Sequence, residues 1–261
     1  MRRSGKLSVS RVAVARLTPD TVDAMWRLYD DHYDHVHRAT FERDLAEKQW
    51  VFLGRDRGSR EVVGFSTALF YRQRYEGRSV GIYFSGDTII HPRYWGQRAL
   101  HNAVFSGLLG WKLRHPRTPL YWYLICSGYR TYLTLVRNFP NHWPHHARPT
   151  PTWEAGLIDA VGCGRYGEAW KADRGVVAFP GPQPVVRQVT APFTAEVLAL
   201  PEVQFFLRAN PGHLEGDELA MLARLDLDTV AAVVRRALRH GRERRPARAP
   251  VPHPSALLRQ P

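Results

Sequence analysis

The chain has 261 residues, of which 44% are hydrophobic and 11% aromatic, enough for one substantial core or a core with a smaller appendage. No stretch reaches the ~20 apolar residues of a membrane-spanning helix, and no apolar segment follows the basic N-terminus. We therefore expect a cytoplasmic protein with no membrane partner. Cys126 and Cys163 lie far apart and form no CxxC pair, which argues against a disulfide framework or a cysteine-rich zinc site.

The positive charge is concentrated near the C-terminus. Residues 235–261 contain eight arginines and a single acid, Glu243, so about +7 of the net charge of +13 lies in this segment. Repeated prolines in this segment predict a disordered, basic Pro/Arg-rich tail over 241–261. Clustered arginines bind nucleic acid by releasing counterions, but such a tail can also be solvated without a specific partner. Both interpretations stay open.

Hydrophobic spacing in the first part of the chain predicts one strand, two helices and three further strands. Glycine-containing and charged connections between the last three strands suit an antiparallel meander. The predicted ranges are a strand at 12–17, helices at 20–37 and 41–48, and strands at 50–53, 62–71 and 79–90.

A core helix and a central strand follow. Leu100, Val104, Leu108 and Trp111 recur at helical spacing, and the apolar run LYWYLIC (120–126) is typical of a strand covered on both faces. A Pro- and His-rich connection then suggests a first domain at 1–140 and a mainly helical region at 141–240 packed on it. Further predicted elements are helices at 129–137, 153–161, 202–208, 217–225 and 228–239, and a strand at 176–179.

The stretch TIIHPRYWGQRAL (88–100) leads from a hydrophobic strand into the core helix through a His-Pro pair. This lead-in, with Ile89, Ile90 and His91, and the element order resemble the GNAT superfamily of acyl-CoA-dependent N-acyltransferases over roughly residues 10–140. The resemblance implies an α/β (α+β) fold with a GNAT-like mixed, mainly antiparallel central sheet flanked by helices, here with a mainly helical C-terminal extension. It also implies acyl-CoA as donor, acetyl-CoA by default, and a small-molecule or peptide amine as acceptor.

The glycine turn that wraps the donor's pyrophosphate in this family, Gln/Arg-x-x-Gly-x-Gly/Ala, is only partly kept. Gly96 survives, whereas Arg98 and Leu100 replace small residues. Because N–H groups at a helix N-terminus attract anions, we expect the turn to bind phosphate with help from the Arg98 guanidinium, although Arg98 can equally be solvent-exposed. The predicted donor-binding residues are Ile89, Ile90, Trp95, Gly96, Gln97, Arg98 and Ser127.

The family's second signature, Asn-x-x-Ala-x-x-x-Tyr-x-x-x-Gly-Phe, keeps only Phe139. Thr134 replaces the tyrosine that in the family often protonates the departing thiolate. Tyr129 and Tyr132 lie close by in the sequence and are predicted to substitute for it, with a role in helix packing as the alternative.

Acyl transfer to an amine also needs a base. Alternation along strand 79–90 predicts Tyr83, Ser85 and Asp87 on one face, just before the turn. Partial burial would raise the pKa of Asp87 into a useful range, so we rank it first as the base, with Ser85 beside it. A structural Asp at a bulge beside Gly86 is the alternative. His91 is a further candidate, as a proton relay or as a structural His before Pro.

Two histidine groups and one acidic segment complete the candidates. The histidines lack a recognised metal spacing, so we predict no metal. The segment NPGHLEGDEL (210–219) is predicted to cap a helix, or, if it lines the cleft, to bind a basic acceptor. We expect the acceptor site between the first two helices and the C-terminal region. The histidines are His32, His35 and His37, and His142, His145 and His146.

The leading hypothesis is a GNAT-like N-acyltransferase that moves an acyl group from acyl-CoA to an amine by direct attack. One alternative keeps the fold but takes the acyl group from aminoacyl-tRNA, which would make tRNA a partner of the basic tail. The other is a catalytically silent GNAT-like domain that binds a ligand or partner, because both signatures are degenerate.

Overall fold

A computed structural model describes residues 5–181, 183–187, 193–226 and 229 of the chain. Apart from Thr229, the predicted helix at 228–239 and the basic tail lie outside the described residues. The helices are α1 (Pro19–His32), α2 (Arg38–Ala46), α3 (Ala99–Arg114), α4 (Tyr129–Asn138), α5 (Thr152–Tyr166), α6 (Ala195–Leu198) and α7 (Pro201–Ala209). The strands are β1 (Leu7–Ala13), β2 (Tyr33–Asp34), β3 (Trp50–Asp56), β4 (Val62–Tyr75), β5 (Arg78–Ile90), β6 (Leu120–Cys126), β7 (His142–Trp143), β8 (Trp170–Lys171), β9 (Val176–Val177), β10 (Val185–Val186) and β11 (Glu218–Leu225).

One large sheet organises the described residues. Its strand order is β1-β3-β4-β5-β6-β11-β9-β8, with β7 also paired to β11, and every neighbouring pair is antiparallel except β5 and β6. Among the described residues, β2 and β10 form a second, two-stranded sheet. The predicted fold class, a mixed and mainly antiparallel sheet flanked by helices, is confirmed.

The predicted helix at 217–225 is wrong, because Glu218–Leu225 forms strand β11 beside β6. The segment ELAMLARL is rich in helix-forming residues, and intrinsic propensity is easily overridden by tertiary pairing. Here Leu219 and Met221 are buried in the core on one side of the sheet, and Ala220 and Leu222 in the core on the other. Acidic Asp217 and Glu218 therefore open a strand and do not cap a helix.

Three smaller boundaries also differ from the predictions. The first strand lies at Leu7–Ala13, and part of the predicted range, Val14–Arg16, forms a 3-10 turn. Helix α1 ends at His32, since Tyr33 enters β2 and His35 has a positive φ of 59°. The strand predicted at 176–179 is only Val176–Val177.

Helices cover both faces of the large sheet. On the face that we call the α3 face, α3, α4 and α7 pack over a core that includes Phe52, Tyr83 and Leu124. On the opposite face, the α5 face, α5 packs over Ile82 and Tyr123, while α1 and α2 pack over the neighbouring strands β3 and β4. Burial of each such side chain contributes ~1.5–3 kcal/mol relative to exposure, so both layers hold the sheet in place.

The sheet continues past the domain boundary predicted at 140. Strand β11 lies between β6 and β9, so the later residues complete the same sheet that the earlier ones begin. The proposed division at 1–140 and 141–240 stays a prediction, but β11, α5 and α7 share both cores with β5 and β6. No helix in the described part of the chain is both long and apolar enough to cross a bilayer.

Candidate functional site

Strands β5 and β6 part in the middle of the sheet. They pair in parallel from Gly81 with Leu120 to Phe84 with Tyr123, and β5 then continues to Ile90 outside this ladder. At the point of parting, the indole N–H of Trp122 donates to Ser85 Oγ at 2.7 Å. The edge of β5 beyond Phe84 therefore faces a gap, in which its backbone groups are placed to pair with an extended ligand.

A β-bulge interrupts β5 beside this gap. Ser66 of β4 pairs with Thr88 and Ala68 with Ser85, so the one residue between them on β4 faces two on β5, Gly86 and Asp87. The extra residue reverses the alternation, and Asp87 lies on the α5 face near α2. The prediction that Asp87 shares a face with Ser85 is therefore wrong.

Glycine is required at the first bulge position. A Cβ on Gly86 would lie 2.4 Å from Thr67 Oγ1 and 3.0 Å from Lys48 Cε. The close approach of Lys48 from the C-terminal end of α2 thus depends on the missing side chain. It places an ammonium group near enough to the Asp87 carboxylate for the two charges to interact.

Asp87 is half-buried, and its pKa is raised from 3.8 to about 6. Burial is the main cause because it disfavours the ionised carboxylate; the negative charge of Asp44 adds to it, and the positive charge of Lys48 opposes it. A carboxylate with this pKa is mostly ionised at pH 7 but accepts a proton readily. That property suits a general base.

A second carboxyl group, that of Glu218 at the start of β11, lies near Asp87 on the α5 face. Its pKa is raised to about 8, first by burial and then by the negative charges of Asp87 and Asp44. The sequence placed Glu218 in the segment that caps a helix or lines the cleft. The structure rules out the helix cap, because Glu218 begins strand β11 beside β6, and a place of this segment in the acceptor site stays a prediction.

The same region of the α5 face carries a cation and several tyrosines, which sequence reasoning missed. The guanidinium carbon of Arg165, at the end of α5, lies 4.1 Å from the ring centroid of Phe84, and Lys48 Nζ lies 5.4 Å from the same centroid. The hydroxyls of Tyr71 and Tyr166 lie close enough for the Arg165 charge to oppose the rise in pKa that burial causes in both. No local motif marks these residues, since they come from separate elements.

The other predicted catalytic residues lie on the α3 face or at the turn. Ser85 is buried and accepts the hydrogen bond from Trp122. Tyr132 is fully buried, its ring lies 5.6 Å from that of Phe206, and burial raises its pKa above the ordinary range. Tyr129 is buried against Phe193 at 4.8 Å between ring centroids. The structure does not bring them together with Asp87 on one face.

Two residues of the turn have structural partners. His91 Nδ1 accepts a hydrogen bond from the Arg93 N–H at 3.2 Å, which starts a 3-10 turn. The Gln97 side chain accepts from the Leu7 N–H at 2.9 Å and donates to the Gly5 carbonyl at 2.8 Å. Gln97 thus anchors β1, and these contacts use both ends of its amide.

The remaining donor-binding candidates surround the gap. The Trp95 indole N–H donates to the Ile90 carbonyl at 2.7 Å, and the Arg130 guanidinium lies 4.7 Å from the Trp95 ring centroid. Gly96 has φ +80°, and Arg98 is exposed at the N-cap of α3. Ile89 is buried on the α5 face, and Ser127 is half-buried between β6 and α4.

Three of the histidines stack on one another. The ring centroids of His142 and His145 lie 4.5 Å apart, and those of His145 and His146 lie 4.6 Å apart. His142 is 2% exposed, and burial lowers its pKa to about 4, whereas His145 and His146 are half-buried. Within the described ranges no group of three or more metal-ligand side chains is suited to an ion.

No protein-family model and no curated protein matches this sequence. Solved structures do match. A conserved protein of unknown function from Enterococcus faecalis V583, described as a probable N-acyltransferase, is 14% identical over 50% of this chain and 32% of its own, with a TM-score of 0.38. The GNAT family N-acetyltransferase YhbS from Escherichia coli, in complex with CoA, is 15% identical over 53% of this chain and 77% of its own, with a TM-score of 0.34.

The chain spans about a third of the length of the first of these structures. Since both TM-scores lie below 0.5, the fold assignment rests on the elements themselves. From β1 to α4 they run strand, helix, helix, three strands, helix, strand and helix, with one short extra strand, β2, between the first two helices. This is the order on which the sequence resemblance depended, and it agrees with the GNAT-like arrangement that the resemblance implies.

Proposed function

We propose that this chain is an N-acyltransferase that moves an acyl group from acyl-CoA, acetyl-CoA by default, to an amine acceptor by direct attack. The observation that carries the proposal is the position of Asp87, at a bulge of β5 beside the gap between β5 and β6, with a pKa of about 6. A base near an open strand edge meets the two needs of this chemistry, an extended acyl arm and a neutral amine.

In the proposed reaction Asp87 accepts the proton that the amine loses. The amine nitrogen forms a bond to the thioester carbonyl carbon, the carbon–sulfur bond breaks, and the thiolate takes up a proton. Tyr132 and Tyr129 stay the candidates for the proton donor. Burial raises the pKa of Tyr132, which keeps its hydroxyl protonated but makes it a weaker acid, and Tyr132 lies on the α3 face and would have to act through the gap.

The first turn of α3 is the proposed site for the donor's phosphates. The first N–H groups of a helix have no intrahelical acceptor and carry its positive dipole end, and here the exposed Arg98 stands at the N-cap. Gln97 is left out of this site because its amide holds β1. Trp95 and Gly96 are proposed to border the phosphates.

Calorimetry with CoA, followed by a thiol-release assay with acetyl-CoA and a panel of amines, tests the proposal. We expect CoA to bind the wild type, Arg98→Met to weaken binding at least tenfold, and Arg114→Met, at the far end of α3, to leave it unchanged. Asp87→Asn should bind CoA normally but turn over slowly. Absence of both CoA binding and thiol release would refute the proposal and leave the silent ligand-binding domain.

The aminoacyl-tRNA alternative depends on the basic tail, which lies outside the described residues, and stays a prediction. It is distinguished by the salt dependence of activity, because each phosphate contact releases a counterion. A steep loss of activity with salt, abolished by removal of residues 241–261, would favour tRNA over acyl-CoA.

A further inference from the structure

Two hydrogen-bond donors beside Phe84, on the α5 face of the sheet, lack acceptors among the described residues. Tyr123 is 0% exposed, and its hydroxyl has no hydrogen-bond partner among the described residues. The Nε of Arg165 is likewise buried without an acceptor within the described part of the chain. Leaving such a group unpaired costs ~1–3 kcal/mol, and more for a charged one, so a ligand that supplies an acceptor gains from both.

Arg165 is positioned but only weakly neutralised. Its guanidinium carbon lies 4.1 Å from the ring centroid of Phe84, and the hydroxyls of Tyr71 and Tyr166 are close to it. Its salt bridge to Glu47 is 3.7 Å long, and the Glu47 side chain is 58% exposed. A pair of this length to an exposed carboxylate contributes little, so the guanidinium keeps the capacity to bind a second anion.

Two carboxyl groups lie close to these donors. Asp87 at the bulge of β5, mostly ionised at pH 7, and Glu218 at the start of β11, mostly protonated with a pKa of about 8, interact with each other electrostatically, and Glu218 also acts on Tyr123 and Tyr166. The bulge and Arg165 are close, because Lys48, which approaches Gly86 of the bulge, and Arg165 both lie over the ring of Phe84. A small ligand bound over Phe84 would therefore contact both the donors and the carboxyl groups.

The donors and the carboxyl groups favour a ligand that carries both an anionic group and an amine. An amine without an anion would leave Arg165 and Tyr123 unpaired, and a site built to hydrogen-bond a group rejects analogues that lack it. An anion without an amine would place nothing against the carboxylates. We propose that the acceptor is a small primary amine that bears an anionic group, which Arg165 and Tyr123 bind while the amine faces Asp87 and Glu218. This inference rests on the proposed function and names its acceptor class.

Binding to the full chain without donor tests the proposal directly. Calorimetry would compare amines that differ in the anionic group: β-alanine and phosphoethanolamine against propylamine, and phenylalanine against phenethylamine. We expect the anionic member of at least one pair to bind at least tenfold more tightly. The carboxylate and phosphate compounds distinguish the two kinds of anion. Equal affinity within every pair, or no binding by any compound, would overturn the inference.

Variants of Arg165 and Tyr123 test whether these residues cause the preference for the anionic amine. Arg165→Met should reduce the preference for the anion to about onefold, Arg165→Lys should keep part of it, and Tyr123→Phe should weaken binding of the anionic amine at least threefold. Arg224→Met, at the far end of β11, is the control and should keep the wild-type preference. Circular dichroism confirms that each variant is folded. A preference that persists in folded Arg165→Met would contradict the proposal.

The inference and the proposed function fail in different ways. If anionic amines bind through Arg165 but acetyl-CoA yields no product, the acceptor class stands and the acyltransferase proposal falls. If propylamine and β-alanine are acetylated with equal kcat/KM, the activity stands and the acceptor class is wrong.

Discussion

Replacement of Asp87 by Asn should raise stability while it lowers activity. The folded pKa of Asp87 is about 6, against 3.8 for an unperturbed group, so the ionised carboxylate is disfavoured in the folded state. Its contribution to stability is fully present below pH 3.8 and is lost as pH rises through 6. The difference of 2.2 pKa units corresponds to about 3 kcal/mol, and neutral Asn of similar volume avoids this loss.

Urea unfolding at pH 4 and pH 8 measures the effect. Relative to the wild type, Asp87→Asn should gain up to about 3 kcal/mol at pH 8 and little at pH 4. Acyl transfer should fall by about 10²–10⁴-fold, the usual contribution of a general base. Asp173→Asn, in an exposed turn, is the matched control and should change neither quantity. If the gain of Asp87→Asn over the wild type is no larger at pH 8 than at pH 4, the buried-carboxylate reasoning is refuted; full activity would refute the role as base.

Three further predictions concern the packing around the site. Because the pKa of His142 is lowered to about 4, the wild type should lose up to about 3 kcal/mol of stability between pH 6.5 and pH 4, and His142→Gln should flatten this difference in urea titrations. Gln97→Ala removes both hydrogen bonds to β1 and should lower the unfolding free energy by about 1–3 kcal/mol, with CoA affinity unchanged in calorimetry. A Cβ on Gly81 would lie 2.2 Å from Trp111, so Gly81→Ala should cost about 1–3 kcal/mol in thermal unfolding, whereas Gly110→Ala on the exposed side of α3 should not.

Elements with a strong local pattern were predictable. The run 120–126 is β6 at the predicted bounds, because a continuous apolar segment of that length is stable as a strand covered on both faces. The spacing of Leu100, Val104 and Leu108 correctly gave α3, since these three side chains form its buried stripe. In each case the local period and the tertiary environment favour the same structure.

The segment 217–225 shows where local reasoning failed. Its leucines, alanines and methionine are good helix formers, and its acids are typical of a helix start. Pairing with β6 outweighs that preference, because the strand buries apolar side chains on both faces of the sheet. The partner lies far away in the chain, so no window of the sequence contains the deciding interaction.

The sequence alone determined the order of the main elements from β1 to α4, the mixed and mainly antiparallel sheet, and Asp87 as the first candidate for the base. Only the tertiary structure decided what surrounds that carboxylate. The bulge turns Asp87 away from Ser85, β11 brings Glu218 beside it, and α5 brings Arg165 over Phe84. Strand register and helix docking depend on contacts between distant residues, whereas the helical and strand periods are encoded within a few neighbouring ones.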